Sequence, residues 1–358
     1  MTDRTGPGQN AGKNDSPRPE APPPKGGFLD RDPPANQRLR DPPILALDIG
    51  GSKFITGLVS RDGKILRSRR QGWNQTAGGK PLTAEGLLAD ICSAVRDMLA
   101  RPGPAPAFLG VTIPGLADPS RGLWVEASFS GIRDLPLVSI LEKEFGLSVK
   151  IENDVNACAL AERKFGCCGG PGYEPVDDFL WITVSNGIGG AIFTGGKIYA
   201  GSAGNAGEIG HIIVEEGPNA RPCGAGHRGC AEAHASGRGL AKNYLSLGGT
   251  WTIGGKEPDA KAIEALARRG DPAAMGAYEL EGMYLGRVIG AAVNLLNPAK
   301  VIIGGGLSLA YDLFRASLEA ALKTHVYQNA NPQLRVEPSP LGYNAALLGA
   351  AALGLPAA

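Results

Sequence analysis

Several things are scarce in this chain, and each scarcity removes a class of function. No apolar run in its 358 residues approaches the roughly 20 needed to cross a bilayer. The N-terminus shows no apolar h-region of a secretory signal. Net charge is nearly absent: 36 basic against 35 acidic side chains leave +1. That balance argues against nucleic acid or an anionic membrane as the main partner. Cysteines number six, at 92, 158, 167, 168, 223 and 230, with no framework spacing, which fits a reduced, cytoplasmic compartment. At the two Gly-rich turns described below, neither G-x-G-x-x-G nor G-x-x-x-x-G-K-[ST] fits, so they are not the common strand-to-helix nucleotide loops. What remains is an ordinary globular balance, 43% hydrophobic and 20% charged, in a chain long enough for two domains.

One signal occurs twice. In Ile44-Leu45-Ala46-Leu47-Asp48-Ile49-Gly50-Gly51-Ser52-Lys53 and in Leu180-Trp181-Ile182-Thr183-Val184-Ser185-Asn186-Gly187-Ile188-Gly189-Gly190, an apolar run ends in a Gly-rich turn. Each turn is followed by β-prone residues, so each is read as a hairpin. Two such turns, one per half, offer bare backbone N–H groups to a polyphosphate from both sides. Either turn alone would read as an ordinary hairpin.

Residues 1–43 hold 10 of the 28 prolines and are read as a disordered tail. Order is expected from Ile44, with strands at 44–49, 53–59 and 64–69, a helix at 83–100, a strand at 107–113 and a helix at 136–145. Val149-Lys150-Ile151 reads as a strand before a helix at 155–165. A strand at 179–184, helices at 232–246, 259–269 and 272–296, a strand at 300–303 and helices at 310–325 and 343–354 complete the pattern. Alternating strands and helices indicate α/β layers. A small N-terminal domain (44–151, completed by the C-terminal helix within 340–358) and a large one (152–339) are expected to face each other across a cleft.

Asp48 ends a strand beside the first turn and reads as a Mg²⁺-shell carboxylate, or else as a turn cap. Gly50, Gly51, Gly187 and Gly189 would let backbone approach phosphates. Glu152-Asn153-Asp154 lies between a strand and a helix, where α/β sheets place ligands. Its Asp is either a helix cap or a carboxylate able to take a proton from an attacking hydroxyl. Three of the four histidines and two of the six cysteines fall within 207–237. That density reads as zinc, although Cys223-x6-Cys230 matches no common ribbon or finger and a loop with incidental thiols stays open.

Taken together, these segments resemble the ROK family of sugar kinases and sugar-responsive repressors, over about residues 44–356. Asp48-Ile49-Gly50-Gly51-Ser52-Lys53 and Asn186-Gly187-Ile188-Gly189-Gly190 are similar to its phosphate motifs, and Gly304-Gly305-Gly306-Leu307-Ser308 to its adenosine motif. Ile113-Pro114-Gly115 and Glu152-Asn153-Asp154-Val155-Asn156-Ala157 resemble its sugar loop and catalytic segment. Gly207-Glu208-Ile209-Gly210-His211 and Gly229-Cys230-Ala231-Glu232 resemble its sugar and zinc signature. The resemblance implies an actin-like, ribonuclease-H-like pair of domains and ATP- and Mg²⁺-dependent phosphorylation of a hexose, usually at the 6-hydroxyl of glucose or a relative. It implies Asp154 as base, with Asn153, Glu208, His211, Glu232 and Gly115 on the sugar. Asp48, Gly50, Gly51, Ser52, Lys53, Asn186, Gly187, Gly189, Gly304 and Gly305 would serve ATP and Mg²⁺. Structural zinc would use His211, Cys223 and Cys230, with His227 or water as fourth ligand, because Ala225 stands where the family has a cysteine. Ser128-Phe129-Ser130-Gly131-Ile132 and Asn186 also depart from the usual pattern. A homodimer is expected, as often in the family.

Two other functions compete: an N-acetylhexosamine (GlcNAc or ManNAc) kinase, and a sugar-sensing regulator without turnover. Residues 1–43 are too short and Pro-rich for the repressors' DNA-binding region. A third class, an Hsp70- or actin-like ATPase, is disfavoured by Glu208, His211 and Glu232.

Overall fold

The computed structural model describes residues 28–30, 41–74, 82–127, 129–327 and 330–356. The first half contains β1 (Phe28–Asp30), β2 (Ile44–Ile49), β3 (Lys53–Val59), β4 (Ile65–Gly72), α1 (Ala84–Leu99), β5 (Phe108–Ile113), β6 (Leu116–Asp118), β7 (Leu123–Ala127), β8 (Ile132–Leu135), α2 (Leu137–Phe145), β9 (Ser148–Asn153) and α3 (Asp154–Phe165). The second contains β10 (Phe179–Val184), β11 (Ile188–Thr194), β12 (Lys197–Ile198), α4 (Ala231–Ala235), α5 (Gly237–Ser246), α6 (Ala260–Ala267), α7 (Pro272–Leu296), β13 (Lys300–Gly304), α8 (Tyr311–His325), β14 (Arg335–Pro338) and α9 (Ala345–Ala352).

The hydrophobic runs at the starts of the two repeats become the central strands of two sheets. The first is ordered β1-β4-β3-β2-β5-β9 and the second β12-β11-β10-β13-β14. Beyond β1 the plans coincide. An antiparallel meander (β2-β3-β4, β10-β11-β12) is followed by two parallel strands (β5 and β9, β13 and β14). Both hairpin turns and the ends of the parallel strands therefore lie at one edge of each sheet, where α/β folds bind ligands.

Period-2 patterning gives each sheet two apolar faces. On the first, Leu45, Leu47 and Ile49 pack with Ile91 and Val95 of α1 and Leu141 of α2. Its other face, Ile44 and Ala46, meets Ala161 of α3 and Leu347, Leu348 and Ala351 of α9. In the second sheet, Leu180, Ile182 and Val184 join Leu285 and Ile289 of α7, while Phe179 and Trp181 pack with Cys158 of α3 and Ala345 of α9. Helices α3 and α9 thus belong to both cores. Their close crossing requires Gly349, where a Cβ would lie 2.5 Å from the Ala157 backbone.

Glu162 fixes α3 further. It is fully buried and accepts hydrogen bonds from Cys167 N (2.8 Å), Trp181 Nε1 (3.2 Å) and Ser339 Oγ (2.6 Å). These donors satisfy a carboxylate that has no cation beside it in the bonds described. They also tie the helix carrying Asp154 to β10 and the end of β14.

Several boundaries differ from the sequence expectation. Three residues of the segment read as disordered, Phe28–Asp30, form an antiparallel edge strand on Arg67, Ser68 and Arg69; residues 1–27 and 31–40 lie outside the described residues. Strand β9 extends through Glu152 and Asn153, which pair with Thr112 and Ile113. The helix expected at 232–246 breaks into α4 and α5 at Ser236, whose extended backbone and side-chain bond to Gly239 N start a new helix. The antiparallel sheet β6-β7-β8 was not read from the sequence at all.

Candidate active site

The first turn closes with Gly50 N donating to Lys53 O (2.9 Å), and Trp73 Nε1 donates to Gly50 O (3.1 Å). A Cβ on Gly51 would stand 3.7 Å from the Phe129 ring. Gly51, Ser52 and Lys53 are exposed. The second turn closes with Ser185 N donating to Gly187 O (2.9 Å). It is held from outside its own sheet. Gly237 N donates to Ser185 O (2.6 Å), Arg238 Nε donates to Asn186 O (3.2 Å), and Ile188 N donates to Glu232 Oε2 (3.1 Å). A Cβ on Gly187 would meet Glu232 Oε2 at 2.5 Å, so any side chain here pushes that carboxylate aside.

Gly304 and Gly305, expected on the nucleotide, also have packing roles. A Cβ on Gly304 would lie 2.2 Å from the Trp181 ring. Gly305 has φ of +82° and would place a Cβ 2.4 Å from Val184 O. The neighbouring Gly306 stands open toward Ser185.

Asp48 is half-buried and accepts from Thr112 Oγ1 (2.9 Å). Burial raises its pKa, against the Thr112 bond and the charges of Arg70 and Lys53. Asp154 sits at the start of α3 but is not its cap. Asn153 is the cap, its Oδ1 accepting from Val155 N (2.9 Å) and Asn156 N (3.2 Å), while its Nδ2 donates to Gly115 O (3.0 Å). Asp154 Oδ1 shares the Val155 N–H with that cap (3.0 Å), and its own backbone N–H and the Asn153 side chain also hold its pKa down against burial. Burial, then the charge of Asp48, raise the Asp154 pKa to about 7. Two carboxylates that oppose each other's ionisation at one cleft edge suit a cation between or beside them. Glu152 braces the segment by accepting from Asn153 N (2.9 Å) and Asn156 Nδ2 (3.1 Å).

Next to this segment is a small open cleft lined by Gly115, Asn153, Asn156, Gly189, Asn205 and Glu208 among others. Gly115, φ +83°, is forced by the Glu126 carbonyl, 2.3 Å from where its Cβ would be. Three sugar candidates (Gly115, Asn153, Glu208) therefore meet around one hollow. Asn156 and Asn205 were missed: one reads as an ordinary helix residue, the other as a turn former in a Gly-rich loop. Glu232 does not line this hollow; its carboxylate is turned to the second turn.

His211 Nδ1 lies 3.4 Å from Cys223 Sγ, and the ligand atoms of His211, Cys223 and Cys230 all fall within 4.8 Å of one another. That spacing fits a tetrahedral zinc after slight closure, given bonds of about 2.0–2.3 Å. His211 Nε2 faces Glu208 Oε2 at 3.9 Å, so the imidazole stands between the trio and the hollow. His227 is not in the trio; its ring centroid is 5.9 Å from that of His211. Cys230 is also the N-cap residue of α4, two positions before Glu232.

The match of the ROK family covers residues 44–356. A glucokinase from Streptomyces coelicolor is 34% identical over 322 residues, covering 86% of this chain and 96% of that protein. A crystal structure of a ROK family glucokinase from Streptomyces griseus in complex with glucose and AMPPNP is 32% identical with a TM-score of 0.72, covering 87% of this chain and 98% of that one. The DNA-binding transcriptional dual regulator NagC from Escherichia coli is 32% identical over 248 residues, 68% of this chain and 59% of that protein. The duplicated sheets accordingly form an actin-like ATPase fold. No helix among the described residues is long and apolar enough to cross a membrane.

Proposed function

The chain belongs to the ROK family, and we propose that it is an ATP-dependent kinase acting on the 6-hydroxyl of glucose or a close relative. The observation that carries this reading is the state of Asp154. It starts α3 without capping it, beside the hollow lined by Gly115, Asn153 and Glu208, with a pKa near neutrality. A cap would need only hydrogen-bond capacity; a carboxylate tuned to about 7 suits proton transfer at physiological pH. The similarity to glucokinases, one of them with glucose and AMPPNP, supports the choice of substrates.

In this mechanism Gly115, Asn153 and Glu208 hold the sugar. The two turns present backbone N–H groups to the phosphates of ATP from opposite sides. Asp154 accepts the 6-hydroxyl proton as that oxygen bonds to the γ-phosphorus and the bond to the β,γ-bridging oxygen breaks, leaving ADP and the sugar 6-phosphate. Positioning and charge stabilisation dominate phosphoryl transfer. Asp48 would hold Mg²⁺ through water, the ion neutralising developing phosphate charge. His211, Cys223 and Cys230 would hold a structural zinc with water as fourth ligand, ordering the loop that leads to Glu232. The chain is divided into a small unit built on the first sheet, with α9, and a large unit built on the second.

The similarity to NagC keeps a sugar-sensing regulator as the second reading. Coupled ADP detection across a panel of hexoses and N-acetylhexosamines separates the two. Hexose-dependent ADP release that is lost in Asp154→Asn is the expected result. No turnover with any sugar, alongside tight sugar binding, would establish the regulator.

A further inference from the structure

Arg70 is a half-buried guanidinium whose Nε is sealed from solvent and has no hydrogen-bond partner among the described residues. It forms no ion pair among the described residues either, whereas its neighbour Arg69 reaches Asp97 at 3.0 Å. A buried charged donor left unpaired costs free energy that native structures normally avoid. Its position shows what is missing. Across the first sheet, Arg70 pairs with Ile55, Ile55 with Asp48, Asp48 with Thr112, and Thr112 with Glu152. Residues in one cross-strand row share a face. Arg70, Asp48 and Thr112 thus lie in one line, one residue short of the edge that carries the first turn and Asn153. Arg70 and Asp48 are two strand spacings apart, about 10 Å between backbones, a gap within the combined reach of the two side chains. The Arg70 charge is felt at Asp48, where it opposes the rise in pKa.

We propose that Arg70 is a catalytic residue that binds the terminal phosphoryl group of the nucleoside triphosphate beside the first turn. The inference rests on the kinase reading above and adds to it a charged ligand for the group in flight. A planar fork of donors suits the equatorial oxygens of that group, and guanidinium groups in this role contribute large factors in other phosphoryl-transfer enzymes. Lys53, exposed on the same turn, supplies a second, mobile cation. Arg70 reads in the sequence as one of several basic residues on an exposed strand, so only the sheet register sets it apart from Arg67 and Arg69.

The test compares AMPPNP with ADP, both with Mg²⁺, by titration calorimetry on the full chain, in wild type, Arg70→Gln, Arg70→Lys and the control Arg69→Gln. Arg70→Gln is expected to weaken AMPPNP at least about tenfold while ADP stays within about twofold, because only AMPPNP carries a third phosphoryl group. Turnover should fall about 10²-fold or more at unchanged sugar KM. Arg70→Lys keeps the charge without the fork and should show the same selective loss at a smaller factor. Should Arg70→Gln fail to fold, Arg70→Lys decides. Arg69→Gln should behave as wild type. Equal weakening of AMPPNP and ADP, or no weakening of either, overturns the proposal and leaves Arg70 as a counter-charge to Asp48. Absence of turnover in the wild type would refute the kinase reading alone, since the AMPPNP-to-ADP comparison needs no sugar chemistry.

Discussion

The two halves of the molecule share a sheet plan but not a chemistry. The first turn carries charge around it: Asp48, Lys53 and Arg70, with Asp154 of α3 close enough for Asp48 to shift its titration. The second carries almost none in its own strands, where Thr183 pairs with Gly189 and Gly304. It is held instead by Glu232, Gly237 and Arg238 from the α4–α5 segment. Duplication thus supplied two backbone cradles. One half carries the charged groups assigned above, as a proposal, to the proton and the phosphate, and the other a link between its turn and the loop of His211, Cys223 and Cys230. A backbone cradle is sequence-tolerant, so its surroundings are free to diverge.

The largest effect expected is in the charged half. Asp154→Asn should lower kcat about 10²–10⁴-fold with sugar and ATP affinity nearly unchanged. Because Asn153 is the cap, α3 should persist. The same variant should be more stable above neutral pH: a carboxyl raised from 3.8 to about 7 stabilises the fold below its unfolded pKa and loses that contribution as pH rises to 7. Removing it should raise the melting temperature at pH 8 by about 2–4 °C. Wild-type kcat near its unperturbed rate in Asp154→Asn would sink both the mechanism and the contrast between halves.

A second comparison sets Gly51→Val against Gly187→Val. Both should raise the ATP KM at least about tenfold, since each side chain crowds phosphate oxygens. Only Gly187→Val should also raise the sugar KM, because displacing Glu232 disturbs α4, whose cap Cys230 stands with His211 beside Glu208 of the hollow. Steady-state kinetics with both substrates varied checks this; equal sugar KM in the two variants would show that the second turn is not coupled to the sugar side.

The pH dependence follows from the first half alone. Turnover should fall with unit slope as pH drops through about 7, where Asp154 gains its proton, and bound Mg²⁺ should move this limb to lower pH. A flat kcat from pH 5 to pH 8 would contradict the assignment.

Metal removal probes the second half. Protein purified without chelator should hold about one zinc per chain, and Cys223→Ser should raise the sugar KM about 10–100-fold with little change for ATP. Zinc far below one per chain with full activity would leave the trio as incidental thiols. The smallest effect belongs to the tail. Deleting residues 1–27 should be silent, whereas deletion through residue 40 removes β1 from the edge of β4 and should lower the melting temperature by about 2 °C or less.

Element type was legible wherever apolar period and turn chemistry agreed. Strands at 44–49, 53–59 and 179–184 and the helix at 272–296 have the extents expected, because a buried strand or long amphipathic helix writes its partner surface into its own spacing. Asp48, the two turns and the Glu152-Asn153-Asp154 segment could be singled out for the same reason: they interrupt that spacing with polar or bare residues. The split of α4 from α5 was hidden, since Ser236 becomes a cap only once its backbone is extended, and so was the short sheet β6-β7-β8.

What the chain determined locally is therefore the two hairpins, the cap-and-helix grammar and the dense His/Cys loop. The tertiary structure alone decided which polar group does what. Asn153 rather than Asp154 caps α3, its side chain also reaching Gly115 in the bend between β5 and β6. Glu232 meets Ile188 across 44 residues, and Arg70 joins the Asp48 row only through the pairing of three strands. Hydrogen bonds and charges act over a few ångströms in space, and the spacing along the chain carries no record of which distant groups the fold will bring within that range.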